Sequence, residues 1–181
     1  LTGTGVRLSH SIVDLAGGNL VAITLVLAIA CYLLGFGISA MLAYIILAAL
    51  VAPAMINLGV PMLAAHFFII YMGLSGFFTP PYAVVAVAAS SMAKADFYKT
   101  CWKAMRLAIV AYIVPVTLVM DPIFLFFNVE IYRFILRGIV AIIAIYVLSG
   151  GLEGYFIKRE LFWWERVVFI IGSLLLFIPY Q

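Results

Sequence analysis

"LSGFFTPPYAVVAVA", Leu74 to Ala88, is apolar enough to lie in a bilayer, yet it carries Gly76, Thr79, Pro80 and Pro81 at its middle. Two adjacent prolines remove two backbone donors and clash with the preceding turn, so a continuous helix through them would cost several kcal/mol. Hydrocarbon offers no water to the freed groups. The stretch therefore predicts an apolar helix that stops before the Thr-Pro-Pro and a second piece that starts after it.

The surroundings agree with a bilayer. Of the 181 residues 68% are hydrophobic and only 9% charged, against roughly 25% charged in soluble domains. No charged side chain occurs between Asp14 and Lys94, and at about 20 residues per crossing that run holds up to four bilayer segments. The net charge of +3 is small and its cations cluster at segment ends, which excludes a nucleic-acid surface. Cys31 and Cys101 share no CxxC or paired spacing and read as free thiols. Residues 1–19 are polar, with an amphipathic turn or two around "VRLSHSIVDLA" and no apolar signal core, so the chain is expected to be the C-terminal part of something longer.

Spans are expected over Asn19 to Gly37, Ile38 to Ile56, Met62 to the Thr-Pro-Pro break with Tyr82 to Ala93 beyond it, Leu107 to Met120, Ile131 to Leu148, and Val167 to Pro179. Asn57 to Pro61 reads as a tight connection and Asp121-Pro122 as a turn. "KADFYKTCWKAMR", Lys94 to Arg106, reads as the main polar loop, placed on the cytoplasmic side by its Lys and Arg. "EGYFIKRELFWWER", Glu153 to Arg166, reads as an interfacial segment whose Phe162, Trp163 and Trp164 anchor the last span. The fold class is all-α, a polytopic transmembrane protein with interrupted helices.

"GFGISA", Gly35 to Ala40, repeats the theme of "GFFTPP", since both interrupt an apolar helix with glycine and a hydroxyl residue. Unwound backbone at membrane depth is tolerated where it faces protein, water or a ligand. Secondary transporters build ion and substrate sites from such breaks. Gly35 and Gly37 free the backbone; Ser39 and Thr79 offer hydroxyls. Because positions 15 to 93 carry no charge, an ion bound here rests on carbonyl and hydroxyl oxygens, a donor set that suits Na+. The competing reading is that both breaks are kinks for helix packing. His66 stands alone, a packed and hydrogen-bonded residue on one reading and a functional one on the other. No phosphate loop, dinucleotide fingerprint, HExxH or GxSxG is present, and no enzyme is expected.

Gly35 to Val119, with "GTG" near the start, then "LAAH", "TPP" and "AMRLAIVAYIVP" in order, resembles the end of the large permease subunit of tripartite ATP-independent periplasmic (TRAP) transporters. The likeness covers about residues 1–122. The tail "LEGYFIKRELFWWERVV" is similar to the two-helix extension of the fused-permease branch that works with TAXI-type binding proteins. The resemblance implies two parts, residues 1–122 of the permease region and a C-terminal extension over 123–181. It implies the second inverted repeat of an elevator-type secondary transporter in a bacterial or archaeal cytoplasmic membrane. It further implies uptake of an organic anion, driven by sodium, with no cofactor beyond that coupling ion. The implied partners are a periplasmic substrate-binding protein and the remaining permease region or a small membrane subunit. The family stretch Gly-x-Gly-x-Pro-Thr-Thr-x-Ala-Tyr is met here at Gly35, Gly37, Ala43 and Tyr44, whereas its Pro and both Thr are replaced. From the second motif Ser75, Gly76, Thr79, Pro80 and Pro81 match. The expected ion- and substrate-binding set is therefore Gly35, Gly37, Ser39, Tyr44, Ser75, Gly76, Thr79, Pro80 and Pro81, with Na+ at Gly35, Gly37, Ser39, Gly76 and Thr79. The alternative is a non-transporting scaffold or inactive fragment.

Overall fold

A computed structural model describes residues 20–125 and 130–177; the expected interfacial turns before residue 20 and the end of the last span lie outside them. The chain divides into two compact units, Leu1–Leu125 and Phe126–Gln181. The first unit runs α1 (Leu20–Leu34), α2 (Ala40–Leu50), α3 (Ala52–Asn57), α4 (Met62–Ser75), α5 (Val84–Ala93), α6 (Phe97–Leu107) and α7 (Ile109–Met120), then a 3-10 turn over Pro122–Leu125. The second runs α8 (Ile131–Glu153), β1 (Tyr155–Phe156), β2 (Arg159–Glu160) and α9 (Trp163–Phe177). It is an all-α membrane protein.

Helix lengths follow from the punctuation. At 1.5 Å per residue α1, α4, α5 and α7 extend about 22, 21, 15 and 18 Å, short of a hydrocarbon core of about 30 Å. Three stretches are long and apolar enough to cross: Ala40–Asn57, Phe97–Met120 and Ile131–Glu153. The first of these joins α2 and α3, parted at Val51 because Pro53, in the first turn of α3, brings no N–H. The expected turn after Asn57 is present, with Gly59 at φ +85°.

One apolar core ties α1 to α4 and α7 together: Ile23, Leu27 and Cys31 meet Leu47, Met55, Phe68, Ile69 and Val119. Many other Leu, Ile and Val side chains stay exposed, as lipid-facing surfaces require. Cys31 and Cys101 are buried free thiols. Ser90 Oγ donates to the Val87 carbonyl at 3.0 Å, the back-bonding expected of a serine inside an apolar helix.

Two segments differ from the sequence expectation. Lys94 to Arg106 is not a loop: most of it is α6, started by Asp96, whose Oδ1 accepts the Lys99 N–H at 2.9 Å. Its cations repeat at helical spacing while Phe97 and Cys101 pack against Ala83 and Ala86, so the periodicity, not the charge content, decides the segment. Glu153 to Arg166 folds into the β1–β2 hairpin, with Tyr155 opposite Glu160 and Phe156 opposite Arg159. Beyond it, Arg166 Nε and Nη2 donate to the Gly151 and Leu152 carbonyls at 3.1 and 2.8 Å, satisfying the C-terminal end of α8. Helix α9 begins at Trp163 rather than Val167, because Glu165 Oε2 reaches back to accept the Phe162 N–H at 3.0 Å, half of a capping box. That hydrogen bond, with the Arg159 guanidinium at 2.8 Å, holds the Glu165 carboxyl below the usual carboxylate range.

Candidate functional site

Both expected interruptions are present, and they pack on each other. The first runs from Gly35 to Ser39 and the second from Gly76 to Ala83. In the first, Gly35 closes α1 with its N–H on the Cys31 carbonyl at 2.9 Å. Gly37 then turns the chain at φ +73°, a conformation open to glycine at little cost. Ser39 restarts helix as the N-cap of α2, Oγ accepting the Leu42 N–H at 3.4 Å.

In the second break Gly76, Phe77 and Phe78 wind one loose turn, and the cis Pro80–Pro81 bond follows. Ala83 then re-enters helix from the left-handed region at φ +33°. The strand of backbone is stitched across itself: the Ala83 N–H reaches the Gly76 and Thr79 carbonyls at 3.2 and 3.1 Å, and the Val85 N–H reaches the Phe77 carbonyl at 3.0 Å. Among the described residues, the carbonyls of Gly35, Gly37 and Phe78 accept no hydrogen bond.

Glycine makes the junction possible. A Cβ on Gly35 would overlap the Gly73 carbonyl oxygen of α4, and one on Gly76 would come within 3.1 Å of the Phe36 ring and 3.6 Å of the Gly35 carbonyl. The α1 end therefore lies backbone to backbone on the last turn of α4.

Hydroxyl groups then tie the second break to its neighbours. The Tyr32 hydroxyl, from α1, donates to the Pro80 carbonyl at 2.8 Å. Thr79 is buried, and its Oγ1 donates to the Ser75 carbonyl at 2.6 Å. With its one proton used there, Thr79 accepts a hydrogen bond from the hydroxyl of Tyr112 on α7. The Ser75 hydroxyl donates to the Met72 carbonyl at 2.6 Å.

Of the expected residues, Gly35, Gly76, Thr79 and Pro80 share this junction. Gly37 and Ser39 stand at its exposed rim, and Pro81 is exposed as well. Tyr44 is elsewhere: its hydroxyl lies 3.0 Å from His66 Nδ1, so His66 is a hydrogen-bonded residue. Tyr44 also borders a cavity of about 230 Å³ between α2 and α4, beside Met41, Ile69 and Gly73, in which it is the main polar side chain. Tyr32, Phe36, Gly73 and Tyr112 complete the junction without having been singled out in the sequence. Their partners are 33 to 48 residues away for the two tyrosines, beyond any local pattern. Among the described residues no group of three or more His, Cys, Asp and Glu could hold a metal ion, so oxygen of the backbone and hydroxyls is what the junction offers.

Comparisons with curated proteins and with solved structures give no match. The family model "Tripartite ATP-independent periplasmic transporter, DctM component" matches residues 1–132, which include both breaks and every residue that packs them together. The chain belongs to this family and is a membrane permease component of a TRAP transporter.

Proposed function

We propose that the chain carries a sodium-coupled site for import of an organic anion, with Na+ held at the junction of the two breaks. The observation that carries this reading is an unpartnered carbonyl oxygen packed beside the unwound segment that also carries a buried hydroxyl. The Gly35 carbonyl has no hydrogen-bond partner among the described residues and lies beside Gly76, three residues before Thr79. Neutral oxygens at membrane depth are the donors of broken-helix cation sites, and Thr79 adds a buried hydroxyl oxygen. In this reading Gly35, Gly37, Ser39, Gly76 and Thr79 surround the ion, Ser75, Pro80 and Pro81 keep the second segment unwound, and Tyr44 borders the substrate's path. The solute is a carboxylate handed over by a soluble periplasmic binding protein. The chain is then the second inverted repeat of an elevator-type carrier of the fused, TAXI-associated branch, multi-pass in the cytoplasmic membrane of a bacterium or archaeon. Transport is completed by the remaining permease region or a small membrane subunit.

The test is uptake into proteoliposomes holding the complete permease, with the soluble binding protein and a panel of labelled carboxylates outside. Uptake of one of them is expected to follow an inward sodium gradient and to stop when potassium replaces sodium on both sides. Uptake at the same rate without sodium would overturn the reading.

A further inference from the structure

We infer that α6 is a docking surface for anionic phospholipid headgroups, with Lys99, Lys103 and Arg106 taking lipid phosphates and Tyr98 and Trp102 resting at the acyl boundary. The inference stands apart from sodium coupling and rests on how side chains are distributed around this one helix. At 3.6 residues per turn the helix shows three bands in order. Phe97 and Cys101 form the buried band, against Ala83 and, in α5, Ala86. Tyr98 and Trp102 come next, 67% and 63% exposed. Arg106, Lys99 and Lys103 follow, all exposed, and Lys94 lies just before the helix. An aromatic band between an apolar contact and a cationic one is the arrangement of a helix segment at headgroup depth.

Charge supplies the partner. Asp96 is the sole carboxylate from Lys94 to Leu107, and its Oδ1 is engaged by the Lys99 N–H at the N-cap. Among the described residues none of the four cations has a carboxylate partner. Three cations within one helix cannot enter hydrocarbon, whereas α7, which follows at Ile109, is almost wholly apolar. Phe97–Met120 as a whole is long and apolar enough to cross, so α6 is its polar end, its cations reaching out to the depth of lipid phosphates, and complementary negative charge there is the phosphodiester of an anionic lipid. The polar band reads the charge of the headgroup, and the aromatic band sets the depth.

The experiment uses the chain in neutral detergent with no other protein present. Phosphatidylglycerol and phosphatidylcholine with the same acyl chains are titrated in turn, and bound lipid is counted by native mass spectrometry. Phosphatidylglycerol is expected to bind more tightly, with added salt removing the difference. Each cation near an anionic surface contributes roughly 1 kcal/mol, about fivefold in affinity. Lys99→Gln with Lys103→Gln is therefore expected to weaken phosphatidylglycerol binding about 25-fold, while Lys99→Arg with Lys103→Arg retains it. Equal binding of the two lipids, or unchanged phosphatidylglycerol binding in the double Gln variant, would overturn the inference and leave an acidic protein face as the partner of α6. Wild type in low and high salt decides the matter alone if the double Gln variant does not fold.

Discussion

Gly35→Ala is expected to lower the thermal unfolding midpoint more than any other single-methyl addition in the two breaks. The added carbon overlaps the Gly73 carbonyl oxygen and comes within 3.2 Å of the Cys31 carbonyl. Both obstacles are backbone, so neither can step aside by changing rotamer, and the α1 end must separate from α4. Overpacking of this kind costs about 1–3 kcal/mol and occasionally more; rigid obstacles place Gly35→Ala at the upper end. Gly37 makes the comparison informative. Its Cβ position is open space, but its φ is +73°, so Gly37→Ala carries conformational strain alone, about 1–2 kcal/mol. Unfolding of each purified variant in one detergent gives the order. If Gly35→Ala proved no worse than Gly37→Ala, the α1 end would not lie backbone to backbone on the last turn of α4.

Thr79→Val is expected to raise the sodium concentration for half-maximal effect about tenfold or more, with Thr79→Ser near wild type. Valine keeps the shape and removes the oxygen. A folding defect can be separated from a binding defect because Thr79 has a partner. Valine alone leaves the Tyr112 hydroxyl without its acceptor, a loss of about 1–3 kcal/mol if that group remains buried. Adding Tyr112→Phe removes the other half of the pair and should return much of the stability, since deleting both partners is nearly neutral. Sodium affinity should stay low in the double variant. Recovery of affinity along with stability would show that Thr79 acts only by positioning its segment.

The same residues show what was legible. Both breaks could be read at the level of single residues, because glycine and adjacent prolines act on the backbone where they stand. The connection after Asn57 is likewise local: the Gly59 N–H bonds the Ile56 carbonyl three residues back. That the two breaks meet was not legible, because Gly35 touches Gly73, Phe36 touches Gly76 and Tyr32 reaches Pro80 across two or three intervening helices. Tyr112 looked like one more aromatic in an apolar run; only the fold gives it a threonine to bind. Lys94 to Arg106 failed for a different reason. Its charge density resembles that of a loop, and the helix lies in the spacing of Phe97, Cys101 and the cations rather than in their number. The hairpin at Tyr155 to Glu160 closes through the Leu161 N–H on the Gly154 carbonyl, while Arg166 bonds helix-end carbonyls 14 and 15 residues earlier, and aromatic and charged content reveals neither.

Hydrogen exchange of the backbone amides, compared in sodium and in potassium at equal ionic strength, tests the central claim most directly. A cation held between the breaks should slow exchange over residues 35–39 and 76–83 in sodium only, and Thr79→Val should abolish that difference. Exchange that is the same in both salts at these amides, in folded wild-type protein, would mean that the junction is packing and holds no ion.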